Sequence, residues 1–319
     1  MKKIIVALLA GFVVAAGARA AYPDKPVTII VPFPPGGSTD QIARFMTPKM
    51  SEKLGQPVVV ENKPGATGAI GAAQVKRSTP DGYTILCASI GVWVANPFLQ
   101  KNLAYDPARD FDLLTVAVKS PNVLVLNPGV PANKVAELIE YLKQNPGKLS
   151  FPTSGAGSSD HLTTELFWMS TGTKGIHVPY KGGGPAIADL VAGHAQVSFQ
   201  NINNVIGHIK SGRLKALAVT SEKRSPLLPD VPSLSELGYK DMVVTSWQAL
   251  AAPRGLQPEV KKTILEAMMS ALKDPEMSKK LTDLGYDVSA TTPEQFTEFL
   301  DAELARWKKV IEVGDIKLN

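Results

Sequence analysis

Residues 27–41, with the sequence Val-Thr-Ile-Ile-Val-Pro-Phe-Pro-Pro-Gly-Gly-Ser-Thr-Asp-Gln, predict a strand, a tight turn and the start of a helix. Residues 27–33 are a short apolar run rich in β-branched side chains, which is typical of a buried strand. Residues 34–37, two prolines and two glycines, cannot continue the strand and force a turn. Ser38 has the signature of a helix N-cap, with Gln41 as its capping-box partner.

The predicted helix continues to about Leu54, because Ile42, Met46, Met50 and Leu54 recur on one face and Gly55 follows as a left-handed end. Such a turn leaves unpaired backbone N–H groups at the carboxyl edge of a sheet. With the helix dipole, these groups can hold an anion without a cationic side chain. The alternative is an ordinary strand-to-helix turn that binds nothing.

The first residues have the pattern of a secretory signal peptide. Lys2 and Lys3 form a charged start, residues 4–16 an apolar core, and Ala18-Arg19-Ala20 a cleavage site. The apolar core is too short to span a membrane, and no later segment approaches the necessary length. No cysteine stands at the cleavage site, so a lipid anchor is not indicated. We therefore predict a signal peptide at 1–20 and a soluble mature protein in the periplasm.

Length and composition favour two domains. The chain has 319 residues, 44% of them apolar, which is enough for two hydrophobic cores. The formal net charge of +5 becomes +2 without the three cations of the signal peptide, a balance that gives no electrostatic footprint for nucleic acid. Cys87 is the only cysteine, so intramolecular disulfides are excluded and a small buried side chain is expected.

Strands that alternate with short helices predict an α/β fold in which each domain is a doubly wound, mainly parallel sheet flanked by helices. Residues 105–118 are less regular, and 123–126 and 242–247 are predicted as short strands. The tail predicts a helix over 292–313, opened by the capping box Thr292-Pro293-Glu294-Gln295. Its apolar stripe needs a sheet to cover, which we expect in domain 1. Domain 1 is then discontinuous, 21–121 with 245–319, and domain 2 is 122–244.

The turn at Gly37-Ser38-Thr39-Asp40 has a counterpart at Gly157-Ser158-Ser159-Asp160, one in each predicted domain. If both sheets point their carboxyl edges at a shared cleft, two helix N-termini face one small ligand with polar or anionic ends. A chance recurrence of good capping residues is the alternative. Asp40 and Asp160 lie in the first turns of their helices, where bracing the loop is favoured over contact with ligand.

Catalytic interpretations find less support. Ser158, Ser159, Asp160 and His161 are adjacent in sequence, but a catalytic triad assembles in space, so adjacency is no indication of one. The sequence has no Gly-x-Ser-x-Gly elbow, no phosphate-binding loop with its lysine, and no metal-ligand spacing among its four histidines. We predict no cofactor and no metal, and a structural hydrogen bond for His161.

Several segments in order resemble the periplasmic substrate-binding proteins of tripartite tricarboxylate transporters, known as the Bug or TctC family. They are Val31-Pro-Phe-Pro-Pro-Gly-Gly-Ser-Thr-Asp40, Val60-Glu-Asn-Lys-Pro-Gly-Ala-Thr-Gly68, Asp81-Gly-Tyr-Thr84, Tyr105-Asp-Pro107 with Asp110-Phe111, 155–162, His177-Val-Pro-Tyr-Lys-Gly182, Leu217-Ala-Val-Thr-Ser221, Leu228-Pro-Asp-Val-Pro-Ser233, and Trp247 with Ala252-Pro253. The resemblance spans nearly the whole chain and is specific for the family, but not for a ligand.

The resemblance implies a two-domain Venus-flytrap binding protein, type II-like, that encloses a small carboxylate and passes it to membrane transporter subunits, acting as a monomer. A first loop, 33–39, and a second loop, 154–159, would hold the ligand, with waters bridging it to the first loop. The full predicted set is Phe33, Pro35, Gly36, Gly37, Ser38, Thr39, Asp40, Ser89, Ser154, Gly155, Ala156, Gly157, Ser158, Ser159, Gln200 and Asn201. Ile90 and Trp93 are further candidates for the cleft, and a place in the core is at least as compatible with their sequence.

The sequence departs from the family at one position, and it leaves two alternative functions open. The family often has an acidic residue where Gln200 or Asn201 stands, so this wall of the cleft is more amide-like. A sensory protein that docks on a membrane receptor, or a hydrolase that uses the neighbourhood of Ser158 and His161, are the alternatives. Neither loop contains arginine or lysine, so the ligand could be a dicarboxylate, an amino acid, an aromatic monocarboxylate or a neutral amide.

Overall fold

The structure of the protein is a computed structural model that describes residues 22–317. Its strands are β1 (Val27–Val31), β2 (Val58–Asn62), β3 (Thr84–Ser89), β4 (Phe111–Leu126), β5 (Ser150–Thr153), β6 (Ile176–Pro179), β7 (Val197–Asn201), β8 (Lys215–Val219), β9 (Thr245–Pro253) and β10 (Asp287–Val288). Its helices are α1 (Ser38–Leu54), α2 (Ala69–Lys76), α3 (Asn96–Leu99), α4 (Val135–Gln144), α5 (Ser159–Thr171), α6 (Gly183–Ala192), α7 (Ile202–Lys210), α8 (Pro258–Leu272), α9 (Pro275–Asp283) and α10 (Pro293–Val313). The signal peptide predicted at 1–20 lies outside the described residues. Within 22–317, no helix combines the length and apolar character that crossing a membrane requires.

The larger sheet is mixed, with the strand order β10-β4-β9-β3-β1-β2. β1 pairs in parallel with both β2 and β3, as expected for the first part of the chain. β9 runs antiparallel to β3 and to β4, and β10 runs antiparallel to β4. The predicted α/β class is confirmed. The two antiparallel pairs of β9 arise because the chain returns to this sheet through β9, which enters in the opposite direction.

Strand β4 belongs to two sheets. As far as Pro121 it pairs with β9, and from Asn122 onward it pairs with β7 and β8. Residues 105–110 lie outside any strand, but the interpretation of 111–118 as irregular and of 123–126 as a separate strand was wrong, because β4 spans both. Pro121 lies where β4 exchanges one neighbour for two others, which is a position that tolerates a missing N–H. This change of partners falls at the domain boundary predicted from the sequence. The boundary itself stays a prediction.

Helices α1 and α8 cover one face of the larger sheet. Ile42, Met46 and Met50 of α1 are fully buried there with Met268 of α8. Each apolar side chain of this size contributes about 1.5–3 kcal/mol when it is removed from water. The predicted apolar face of α1 is confirmed, and so is its left-handed end at Gly55, where φ is 66°.

Helix α10 covers the opposite face. Thr292 Oγ1 accepts from Gln295 N at 3.2 Å and Gln295 Oε1 accepts from Thr292 N at 2.9 Å, so the predicted capping box is confirmed. Phe296 of this helix packs edge-on against Trp93 and Trp247, with ring centroids 5.6 Å and 6.2 Å away. The apolar stripe therefore covers the larger sheet as expected, and Trp93 belongs to this core.

Candidate ligand-binding site

Asp40 holds the first loop in shape. Its carboxylate accepts hydrogen bonds from Gly36 N at 2.9 Å, Asn62 Nδ2 at 2.9 Å and Arg44 Nε at 3.0 Å. Burial favours the neutral carboxyl, because Asp40 is only 3% exposed. The hydrogen bonds from Arg44, Gly36 and Asn62 outweigh burial and hold the pKa of Asp40 below its usual range. This arrangement supports the bracing role over a direct ligand contact.

Ser38 faces domain 2 instead of capping its own helix. Helix α1 begins after an extended Gly37 without a capping side chain, so the predicted capping box was wrong. Gln41 Nε2 donates to Gly36 O at 3.1 Å instead of closing the box. Ser38 Oγ lies 3.2 Å from Asn201 Oδ1, and Asn203 Nδ2 donates to it at 3.1 Å. These contacts join the first loop directly to the start of α7.

Asp160 holds the second loop without a cation. Its Oδ2 accepts from Ser154 N at 2.6 Å, Ser154 Oγ at 2.8 Å and Gln200 Nε2 at 3.2 Å. Burial is the largest influence on this carboxyl and raises its pKa, and hydrogen bonds from Ser158 and Ser154 offset burial only in part. Gln200, which was predicted in the cleft wall, is 1% exposed and supports Asp160 from behind.

The hydroxyl of Ser158 is not paired with the imidazole of His161. Ser158 caps α5, where its Oγ donates to Gly155 O and accepts from His161 N at 3.4 Å. His161 Nδ1 accepts from Gly157 N at 2.9 Å, and its ring stacks on His177 with centroids 3.9 Å apart. Burial, helped by His161, lowers the pKa of His177 to about 3. The geometry gives His161 a structural hydrogen bond and forms no serine–imidazole pair in this described loop.

The two domains touch across the cleft at glycines. A Cβ atom added to Gly91, which follows β3, would lie 2.7 Å from Gly157 O of the second loop. A Cβ atom on Gly157 would lie 3.2 Å from Ala95 Cβ. Real Cβ atoms essentially never come as close as 2.7 Å to another heavy atom, and 3.2 Å is a tight contact, so glycine is required at Gly91 in this closed arrangement. The structure therefore brings the first loop, the second loop and the end of β3 together.

The remaining predicted residues divide between the interior and the rim of the cleft. Thr39 and Ser159 are buried, and Ser159 Oγ accepts from Asn201 Nδ2 at 3.2 Å. The half-buried residues are Phe33, Gly37, Ser89, Ser154, Gly155, Ala156 and Asn201. Pro35 and Gly36 are exposed on the outer side of the first loop. Within 22–317, no group of three or more histidine, cysteine or acidic residues is placed to hold a metal ion.

The family model described as tripartite tricarboxylate transporter family receptor, TctC, matches residues 42–316. The chain belongs to the TctC family. This confirms the resemblance that the sequence motifs carried. The TctC chain is 37% identical to Protein BugT of Bordetella pertussis, over 99% of this chain and 98% of BugT.

Two solved structures of similar proteins contain ligands, adipate in one and malate in the other. The first is R. palustris Rpa4515 with adipate, at 34% identity and a TM-score of 0.89, over 93% of this chain and 99% of that chain. The second is MatC (Rpa3494) from Rhodopseudomonas palustris with bound malate, at 31% identity and a TM-score of 0.86, over 91% of this chain and 100% of that chain. The α/β binding-protein fold of the TctC chain is therefore shared with both.

This TctC chain also places between the two domains a set of buried polar residues that were not predicted from the sequence. They come from β4 and β9 at the point where the strands pass from one domain to the other. We call them the cleft floor: Ser120, Asn122, Ser246 and Gln248, each at most 2% exposed. Opposite residues of paired strands share one face of the sheet. Gln248 is opposite Ser89, and Ser120 is opposite Ser246, so the floor continues from a predicted site residue.

The cleft floor also reaches the wall formed by domain 2. Asn122 Oδ1 accepts from Asn201 Nδ2, and Asn122 Nδ2 donates to Thr163 Oγ1 of α5 at 3.0 Å. Asn201 is in turn the partner of Ser38 and Ser159. The signal in the sequence was the presence of serine, asparagine and glutamine inside otherwise apolar strands, a pattern that fits burial beside a ligand or water.

A groove of about 560 Å³ lies at the mouth of the closed cleft. Gly36 and Gly37 of the first loop form one side, and residues of α6 and α7, including Asn203, form the other. His208 and Arg213 lie along it. Burial, together with the positive charge of Arg213, lowers the pKa of His208. The guanidinium of Arg213 therefore supplies positive charge at the entrance to the cleft.

Proposed function

We propose that this TctC-family protein is an extracytoplasmic solute-binding protein that captures a small carboxylate between its two domains. The observation that carries the proposal is the pair of contacts that Asn201 makes with Ser38 and with Ser159, which joins the starts of α1 and α5 at one cleft. Backbone N–H groups at the starts of α1 and α5 are suited to a carboxylate. The adipate and malate in the two related structures support a carboxylate as the ligand class.

The binding chemistry uses neutral donors. Neither loop contains arginine or lysine, and Arg44 is already paired with Asp40. A carboxylate in the cleft is therefore held by backbone N–H groups and by the hydroxyls of Ser38, Thr39 and Ser159. Glycines in both loops let the backbone approach the ligand closely. This arrangement favours recognition by direction of hydrogen bonds over recognition by charge alone.

Capture works through closure of the two domains. A ligand stabilises the closed arrangement only through contacts that it gains there. β4 and β9 pass between the domains, so we propose the hinge at residues 121–122 and 244–245, the predicted domain boundaries. We further propose that the signal peptide at 1–20 directs export to the periplasm, and that the mature chain acts as a monomer. Its partners are then the membrane subunits of a tripartite tricarboxylate transporter.

The experiment that tests this function is a thermal-shift screen with dicarboxylates, hydroxycarboxylates, amino acids and aromatic carboxylates. The protein is first unfolded and refolded, so that a ligand carried through purification is removed. A ligand at 100 times its dissociation constant should add about 2.7 kcal/mol to the free energy of unfolding. If no carboxylate stabilises the refolded protein, the proposal fails.

A pair of glycine variants tests the closure. Gly91→Ala places a methyl group against Gly157 O only when the cleft is closed, so it should weaken carboxylate binding by about tenfold or more. Gly207→Ala, on α7, adds its methyl group to open space and is the matched control. Titration calorimetry measures both. Equal affinities for the two variants would contradict capture by closure.

A further inference from the structure

Two atoms of the cleft floor are buried without a hydrogen-bond partner. Among residues 22–317, the buried side-chain atoms left without one are Ser120 Oγ, Gln248 Oε1, Trp168 Nε1 and His208 Nδ1. The first two lie on a single face of neighbouring strands, next to the predicted site residue Ser89. Leaving such atoms unpaired costs free energy comparable to a lost hydrogen bond, so polar partners are expected there.

The side chains beside these atoms make their hydrogen bonds through other atoms. Gln248 Nε2 donates to Ser246 Oγ at 3.2 Å, which leaves Oε1 free. The side chain of Asn122 is committed at both ends to Asn201 and Thr163. The floor atoms without any partner are therefore Ser120 Oγ and Gln248 Oε1, and a group bound in the cleft is placed to use them.

The free oxygen of Gln248 determines what kind of group can bind. An amide oxygen only accepts hydrogen bonds, and an ionised carboxylate also only accepts, so a carboxylate alone leaves Gln248 Oε1 unpaired. A captured molecule that contacts Gln248 Oε1 directly needs a donor, such as a hydroxyl or an ammonium group. An ammonium group requires a counter-charge, but Asp40 is paired with Arg44, and Oδ2 of the buried Asp160 already accepts from Ser154 and Gln200. A neutral hydroxyl fits this floor better.

We propose that Gln248 and Ser120 form a specificity site for a hydroxyl group, so that the captured solute is a hydroxycarboxylate. The hydroxyl donates to Gln248 Oε1, and its oxygen accepts from Ser120 Oγ, while the two loops hold the carboxylate. This inference rests on the proposed function and names its ligand class. Gln248 then discriminates between ligands with and without a hydroxyl group, which neither loop can do.

The test compares matched pairs of carboxylates that differ by one hydroxyl group. Succinate with malate, glutarate with 2-hydroxyglutarate, and butyrate with 3-hydroxybutyrate are titrated into the refolded protein by calorimetry. The hydroxylated member of the best-binding pair should bind about tenfold or more tightly than its partner. If no carboxylate binds, the proposed function fails. If the unhydroxylated acids bind equally well, only the inference about Gln248 is overturned.

Variants of the cleft floor test whether these residues cause the preference for the hydroxylated acid. Gln248→Met and Ser120→Ala remove the polar atoms with little change of shape, and should reduce the preference for the hydroxylated acid to about twofold. Circular dichroism and thermal unfolding show whether each variant is folded. Thr171→Val, which removes a buried hydroxyl at the far end of α5, is the control and should keep the full preference. A preference that survives in Gln248→Met would overturn the assignment.

Discussion

The first and second loops use an aspartate in the same sequence position for the same purpose, but in opposite electrostatic surroundings. Asp40 is paired with Arg44, and its pKa is lowered. Asp160 is enclosed by hydroxyl, amide and backbone donors, and burial raises its pKa. Similar motifs thus produce a loop with a neutralised charge in domain 1 and a loop with an uncompensated carboxyl in domain 2.

The serines that follow the glycines also differ. Ser158 is used within its own loop, where it caps α5 and bonds to Gly155. Ser38 does not cap its helix, because the N-cap of α1 is Gly37. Its hydroxyl contacts Asn201 and Asn203 at the start of α7 instead. The second loop is therefore a fixed wall, whereas the first loop supplies the contact that depends on closure. Four predictions test this division.

The largest effect is expected from Asp40→Asn. The change removes the charged partner of Arg44 and weakens the hydrogen bonds that shape the first loop, so the free energy of unfolding should fall by about 2 kcal/mol. Urea denaturation measures it. Asp283→Asn is the control, because Asp283 and Lys279 form an exposed pair with the same spacing, which contributes about 0.5 kcal/mol or less. Similar losses in both variants would contradict a special role for Asp40.

Acid pH should affect the two aspartates with opposite signs. The contribution of Asp40 is complete above the ordinary carboxyl pKa of about 3.9 and is lost as the pH falls through its lowered folded value. The charged form of Asp160 costs stability, and that cost disappears as the pH falls through its raised folded value. On acidification, the deficit of Asp40→Asn relative to wild type should shrink, while that of Asp160→Asn should grow. Urea denaturation across a pH series checks both, and slopes of the same sign would contradict the comparison.

Ser158→Ala and Ser38→Ala should separate stability from binding. Loss of the N-cap in Ser158→Ala should lower the free energy of unfolding by about 1 kcal/mol. Ser38→Ala removes contacts between domains, so unfolding should change by about 0.5 kcal/mol or less while ligand affinity falls about threefold to tenfold. Denaturation and calorimetry on both variants measure these effects. If Ser38→Ala lowers the free energy of unfolding as much as Ser158→Ala, the Ser38 side chain stabilises its own domain, and the proposed role between the domains is contradicted.

The smallest effect is expected at the groove. Arg213→Gln removes an exposed positive charge at the cleft mouth and should slow association of an anionic ligand about twofold to threefold at low salt, with no difference at high salt. Lys210→Gln, an exposed cation at the end of α7, is the matched control. Stopped-flow kinetics measure the rates. Equal slowing in both variants would show an effect of net charge alone.

Local signals predicted much of the fold. The face of α1, its left-handed end at Gly55 and the capping box at Thr292 depend on residues within a few positions of each other, and all three are present. Of strand β4 only 123–126 was predicted, because the sequence around Pro121 does not reveal that one strand continues there with different neighbours. Helix α9 was not predicted either, since it is short and its N-cap, Asp274, stands in a polar stretch.

The candidate site was predicted where it follows a motif and missed where it depends on distant pairing. The two loops and His161 could be named because their residues are adjacent in the chain. The role of Ser38 could not be predicted, since its partner Asn203 comes from the other domain. The cleft floor was missed for the same reason, because Ser120 and Gln248 become neighbours only through the pairing of β4 with β9.

The position of β9 has a consequence for how the chain folds. In the larger sheet β9 lies between β3 and β4, yet it comes more than one hundred residues after β4 in the sequence. The first half of the chain alone therefore leaves a gap in that sheet, and all of domain 2 must be synthesised before the gap is filled. Contacts between such distant segments slow folding, because a long loop must close first. We expect a nascent chain that ends before Thr245 to lack a stable domain 1.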